Sequence, residues 1–165
     1  MKRLILISGP MGVGKTTVAT LLQGRIDHSV FLDGDWCWVM NPFTVTDETK
    51  AMVLDNITHL LRNFLACTQL ETVIFCWVMD SQTILDSILS RLELDGIAVY
   101  SFTLTATPEA LSRRVEGDIA RGLRQPGDAA RSVARLPHYD TMDTIKLDVS
   151  DLPPEAAAEW VLQHL

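Results

Sequence analysis

Apolar residues along this chain fall into two alternating patterns. The first consists of short runs with little polar interruption: Leu4–Ile7, Val30–Leu32, Thr72–Val78, Ile97–Leu104 and Thr144–Val149. Such runs predict strands covered on both faces, as in a parallel sheet. Between them, apolar positions recur at helical spacing. Val18, Ala19, Leu21, Leu22 and Ile26 mark the inner side of a helix over 16–26. Met52, Ile57, Leu60, Leu61, Phe64 and Leu65 do the same over 47–70. Ser81 is placed to cap a helix running to about Leu94, where Asp95-Gly96 stops it. Thr107-Pro108-Glu109 reads as a helix start, with a threonine N-cap and a first-turn proline. A last helix follows Pro153-Pro154. Strands alternating with helices predict βαβ units and an α/β fold on a parallel sheet. Only Gly122–Asp128 breaks the alternation, and it reads as a loop between two helices. No repeat or second-domain boundary is visible, so residues 1–165 are read as one domain.

Composition narrows the function classes. With 47% hydrophobic and 21% charged residues, the chain is globular and not intrinsically disordered. The cysteines, Cys37, Cys67 and Cys76, are odd in number and form no C-x-x-C pair. That disfavours a disulfide framework or a zinc site and points to a reducing cytoplasm. The opening Leu4–Ile7 run ends at Ser8-Gly9, too soon for a secretory segment. Val73–Met79 is far too short to span a membrane, so no membrane partner is expected. A net charge of -7 lacks the basic footprint of a nucleic-acid binder.

Residues 9–16, Gly-Pro-Met-Gly-Val-Gly-Lys-Thr, fit the phosphate-binding pattern G-x-x-x-x-G-K-[ST] between a strand and a helix. Gly9, Gly12 and Gly14 let the backbone N–H groups, Val13 among them, turn toward phosphate oxygens. The following helix, beginning with Lys15, Thr16 and Thr17, offers the positive end of its dipole. Lys15 supplies charge to the β- and γ-phosphates of ATP, and Thr16 a hydroxyl ligand for Mg²⁺. The competing reading is a glycine-rich turn.

Asp33-Gly34-Asp35 follows the second strand, on the edge where ligands of an open parallel sheet bind. Asp35 is the candidate general base and Asp33 a candidate Mg²⁺ ligand. The alternative is a turn, with Asp35 as a helix N-cap. Trp36-Cys37-Trp38 and Asn41-Pro42-Phe43 follow, either as an acceptor-pocket wall or as core packing. Cys37 is read as a small hydrophobe and not a nucleophile.

Arginines are concentrated in one place. Of ten in the chain, six lie between residues 111 and 135: Arg113, Arg114, Arg121, Arg124, Arg131 and Arg135. Only Glu116, Asp118 and Asp128 oppose them there, so an acidic chain carries a local excess of positive charge. Guanidinium groups beside a loop suit a lid closing over phosphate, against the alternative of a solvated charged surface.

Together these features resemble the P-loop small-molecule and nucleotide kinases, among them gluconate, shikimate, adenylylsulfate and adenylate kinases. Leu32-Asp-Gly-Asp35 is similar to the Leu-Asp-Gly-Asp of adenylylsulfate kinase and the acidic-Gly-Asp of gluconate kinase. Leu111-Ser-Arg-Arg114-Val-Glu-Gly117 resembles the adenylate kinase stretch at the lid entrance, where an arginine stacks on adenine. Arg124 and Arg135-Leu-Pro-His-Tyr139 match the spacing of its lid arginine and later Arg-Leu-x-x-Tyr. The segment Phe102–Thr105 and the helix after it resemble tunicamycin-resistance and chloramphenicol-phosphotransferase types.

The resemblance implies a three-layer α/β/α P-loop kinase fold. Its five-stranded parallel sheet would run in order 2-3-1-4-5, with a short arginine-rich lid at about 113–135. It implies nucleotide contacts at Arg114 and Arg121, and catalytic roles for Lys15, Asp35, Arg124 and Arg135. Three positions depart from the pattern. Asp118 stands where adenylate kinases place a second arginine, leaving Arg121 on the next turn as the substitute. The run Val73–Val78 lacks a terminal Walker-B acid, since Asp80 comes late, so Mg²⁺ falls to Thr16 and the acidic pair. No arginine for an acidic acceptor follows Asp35, which leaves Arg62 on a helix, or an apolar acceptor. The expectation is an ATP-dependent phosphotransferase acting on a hydroxyl or phosphate of a small molecule. A non-catalytic nucleotide-binding protein and an antibiotic-resistance phosphotransferase are the alternatives. The sequence gives no oligomeric state.

Overall fold

The computed structural model describes residues 1–165. Five parallel strands form one sheet: β1 (Lys2–Ser8), β2 (Ser29–Asp33), β3 (Thr72–Cys76), β4 (Ile97–Thr105) and β5 (Ile145–Asp148). Their order is β2-β3-β1-β4-β5, the one the resemblance implies. The helices are α1 (Lys15–Gln23), α2 (Asp47–Ala66), α3 (Gln82–Leu89), α4 (Pro108–Ala120), α5 (Asp128–Asp140) and α6 (Pro154–Leu162). A short 3₁₀ turn, Gly34–Trp38, follows β2.

The central strand explains the layers. In β1, Leu4, Ile5, Leu6 and Ile7 are all buried, because alternate side chains enter opposite cores. Ile5 and Ile7 pack with Val18, Leu22, Leu111, Val115 and Val161, from α1, α4 and α6. Leu4 and Leu6 pack with Ile57, Leu61, Leu85, Ile88 and Tyr139, from α2, α3 and α5. Buried polar groups near the ligand edge are paired. Ser8 and Thr103 hydroxyls share a hydrogen bond of 2.7 Å, and Thr103 and Thr144 one of 2.6 Å.

Several element ends fall short of the hydrophobic pattern, for local reasons. The helix read to Ile26 stops at Gln23, where Gly24 caps α1, while Ile26 still packs on the core. The helix read to Leu70 stops at Ala66 because the Lys2 ammonium donates to the terminal carbonyls of Leu65 (2.6 Å) and Cys67 (2.7 Å). The helix read to Leu94 ends at Leu89 in tighter turns, with Arg91 N–H bonded to the Ile88 carbonyl. The strand read to Val78 ends at Cys76, and the Val78 carbonyl instead accepts from the Tyr139 hydroxyl at 2.6 Å. Helix α5 runs through Pro137, which costs it one backbone hydrogen bond.

The ligand edge is braced from both sides. Ser132 on α5 donates to the Met11 carbonyl at 2.6 Å. Arg114 on α4 donates to the carbonyls of Val13 (3.0 Å) and Val149 (2.5 Å). Gly9 is where β1 leaves the sheet. A Cβ there would lie 2.6 Å from the Leu104 carbonyl oxygen, at a φ of +150°. Because that neighbour is backbone, a Gly9→Ala variant is expected to lose about 1–3 kcal/mol of stability. Urea unfolding checks this; a loss under about 0.5 kcal/mol would mean the turn can open without cost.

Candidate active site

The loop from Gly9 to Gly14 leads from β1 into α1, and its concave side opens on a cavity of about 540 Å³. Gly12, Val13, Gly14, Lys15, Thr16 and Thr17 all line it. Gly14 caps α1 in the left-handed conformation with no capping side chain, so the first N–H groups of the helix keep no side-chain partner. Such a helix start is an anion site. The Lys15 side chain is buried and its ammonium donates to the Pro10 carbonyl at 2.9 Å. Burial pushes its pKa down to about 8 despite the opposing carboxylates of Asp35 and Asp33.

Asp33 engages both of its oxygens. Oδ2 accepts from the Thr16 hydroxyl at 2.7 Å, and Oδ1 accepts from the Asp35 N–H at 2.9 Å. The N-cap of the 3₁₀ turn is therefore Asp33, and the alternative of Asp35 as a cap is corrected. Gly34 is required between them because a Cβ would lie 2.5 Å from Cγ of Trp77. Freed from capping, Asp35 opens into the first cavity and also into a second, of about 680 Å³. Its carboxyl reaches solvent, yet the protein around this concave site desolvates it and raises its pKa. The Asp33 charge raises it further, while Lys15 and Arg124 oppose the shift.

The arginines divide between the two cavities. Arg114, Arg121 and Arg124 line the first, with Asp118 among them. The Asp118 carboxylate takes Arg121 at 2.5 Å and Arg124 at 3.2 Å, one on each oxygen. Arg114 also serves as the brace described above, so its two roles share one guanidinium. Arg131 and Arg135 line the second cavity instead. Arg131 is paired with Asp128, and Arg135 with Asp80, which also meets His138 at 3.4 Å. Arg135 thus lines a different cavity from Arg124, with which the resemblance pairs it as a candidate catalytic arginine, while Asp35 borders both, and Asp80 is engaged with α5. Arg113 and Arg62 are exposed and line neither cavity.

Trp38 and Phe43 form part of the second cavity, with ring centroids 5.8 Å apart. Trp36 lies outside both cavities and packs edge-on against Phe31 at 5.1 Å. Burial raises the Cys37 thiol pKa, in keeping with a small hydrophobe. Trp77, Val45, Ser132 and Tyr139 also line the second cavity, and the sequence reading missed them as site residues. Trp77 hid inside an apolar strand pattern. Only its large ring beside the Asp-Gly-Asp turn marks it in hindsight.

Residues 5–143 match the family described as AAA domain. No curated protein sequence matches the chain significantly. Solved structures share the fold. The tunicamycin resistance protein of Deinococcus radiodurans superposes with a TM-score of 0.67 at 20% identity, over 99% of this chain and 95% of that one. A gluconokinase from Sinorhizobium meliloti 1021 gives 0.65 at 18% identity, over 97% and 93%. The APS kinase of Mycobacterium tuberculosis, solved in complex with AMPPNP and APS, gives 0.66 at 16% identity, over 98% and 96%.

The two carboxylates are electrostatically coupled, and Asp33→Asn tests this directly. Asparagine keeps a side-chain oxygen for the cap and removes the charge. The Asp35 pKa is expected to fall toward its ordinary value, as followed by carboxyl NMR titration. An unchanged Asp35 titration would show that desolvation alone sets its acidity.

Proposed function

The chain belongs to the AAA-domain family, and from that premise and the site geometry we propose that it is an ATP-dependent phosphotransferase acting on a small molecule. The observation that carries this reading is the position of Asp35, shared between the glycine-rich cradle and the second cavity. A carboxylate with raised pKa between two ligand spaces is where a general base must stand to deprotonate one substrate as it attacks the other. The acceptor oxygen forms a new bond to the γ-phosphorus, the bond from that phosphorus to ADP breaks, and the acceptor proton passes to Asp35.

The other residues then take definite roles. The N–H groups of Gly12, Gly14 and Thr17 at the cradle and helix start hold the phosphate chain, while that of Val13, the fourth candidate, donates within the loop to the Pro10 carbonyl at 3.3 Å. Lys15 and Arg124 offset charge on the transferring group, and Arg121 and Arg114 bound the nucleotide side. Thr16 and Asp33 are the hard oxygen donors that would hold Mg²⁺, the Thr16 hydroxyl keeping its lone pairs free because it gives its proton to Asp33. No group of three or more His, Cys, Asp or Glu side chains is arranged to hold a metal alone. The ion would draw its remaining ligands from phosphate and water, and would supply charge neutralisation there. Arg135, on the acceptor side, lies within the hairpin of α4 and α5 that forms the lid in this reading. No helix is long and apolar enough to cross a membrane. A cytoplasmic setting, where ATP is abundant and cysteines stay reduced, goes with the proposal. A binding-only protein is the second reading, favoured by the engagement of Asp80 with Arg135, which leaves β3 without a free terminal acid.

Asp35→Asn decides between them. It is expected to lower turnover by about 100- to 10,000-fold while leaving ATP affinity within about threefold. Transfer that persists in this variant would make Asp35 a turn residue. The pH dependence follows from Lys15. Its protonated form binds phosphate, so ATP affinity is expected to weaken as pH rises through about 8. Lys15→Ala should flatten that dependence and lower kcat/KM by at least about 100-fold. Calorimetric titration across pH checks the first; a Lys15→Ala profile as steep as the native one would contradict it.

A further inference from the structure

The two cavities differ in their balance of charge. Lys15, Arg114, Arg121 and Arg124 line the first against Asp35 and Asp118, an excess of two positive groups. The second is lined by Arg131 and Arg135 against Asp35 and Asp128, with no excess. Each of its guanidiniums already has a carboxylate offsetting its charge, Asp128 for Arg131 and Asp80 for Arg135, though both arginines stay more than half exposed. Asp128 is fixed by the Gln125 N–H at 2.8 Å, and that hydrogen bond, followed by Arg131, holds its carboxyl below the usual range. An anionic acceptor would meet two exposed cations whose charge is already offset, and would lie among three carboxylates, so the cavity offers it no net attraction.

Beyond the charged groups, the wall is apolar except for the hydroxyls of Ser132 and Tyr139, each of which donates to a backbone carbonyl. Trp38, Phe43, Val45 and Trp77 line it together with Asp35, the first two with ring centroids 5.8 Å apart. Phe43 and Val45 are 66% and 53% exposed, large apolar side chains left open beside a concave space. A volume of about 680 Å³ is that of a drug-sized ligand site.

We propose that the second cavity takes an uncharged alcohol with an aromatic or other apolar body, its hydroxyl toward Asp35, and that nucleotides and acidic sugars are poor acceptors. The alcohol rests on the phosphotransferase reading; the neutral, apolar character rests on the wall and its balance of charge.

Binding and transfer are measured separately on the full chain. With AMPPNP and Mg²⁺ saturating, 2-naphthylmethanol, gluconate and AMP are titrated by calorimetry and tryptophan emission. 2-Naphthylmethanol is expected to bind at least about tenfold more tightly than either anion. Its affinity should hold steady between about 50 and 500 mM NaCl, since no charge pair forms. Phe43→Ala, at an exposed position, and Trp38→Ala should each weaken it about fivefold or more. Tighter binding of gluconate or AMP, no detectable binding of the naphthyl alcohol, or indifference to both variants would overturn the inference. Phosphate transfer to gluconate or AMP would overturn it while keeping the phosphotransferase. Binding as expected with no transfer to any alcohol would support the cavity assignment and sink the phosphotransferase instead.

Discussion

The Asp33 carboxylate is the contact on which the ligand edge depends. One oxygen holds the Thr16 hydroxyl at the start of α1, and the other holds the backbone of the turn after β2. That single group sets the distance between the phosphate cradle and Asp35. It also leaves Asp35 without a capping duty. The consequence is electrostatic as well as geometric. Desolvation, with the Asp33 charge one glycine away, keeps Asp35 a stronger base, and burial lowers the Lys15 pKa to about 8; the attraction between ammonium and carboxylates opposes both shifts.

The hairpin of α4 and α5 repeats this logic with opposite signs. Each cavity-lining arginine beyond the brace Arg114 has a carboxylate partner: Asp118 for Arg121 and Arg124, Asp128 for Arg131, and Asp80 for Arg135. On the nucleotide side one carboxylate serves two guanidiniums, leaving capacity for phosphate. On the acceptor side each guanidinium has its own partner. Exposed pairs of this kind add little to stability, so their value lies in deciding which charge each space admits.

The layers and the cradle were legible because they rest on local, repetitive signals. Continuous apolar runs such as Leu4–Ile7 mark strands buried on both faces, and the glycine, lysine and threonine spacing of residues 9–16 is tied to one backbone shape. Sheet order followed from the resemblance and not from periodicity. Helix ends were misjudged where a distant group intervened, as Lys2 does at the end of α2. The acceptor wall was half legible. Trp38 and Phe43 announced themselves beside the acidic pair, whereas Trp77 and Tyr139 come from other elements and reach the cavity only through tertiary packing. Pairing of Arg135 with Asp80 across 55 residues carries no sequence signal at all.

The central claim is that Asp35 stands between a phosphoryl donor and an acceptor. It is tested most directly by following the γ-phosphorus of labelled ATP in a single turnover with a neutral aromatic alcohol present. The account predicts that label appears on the organic product, in proportion to ADP formed, and only when the alcohol is added. Label found solely as inorganic phosphate, or retained in ATP, with the alcohol and equally with gluconate and AMP in its place, would contradict it.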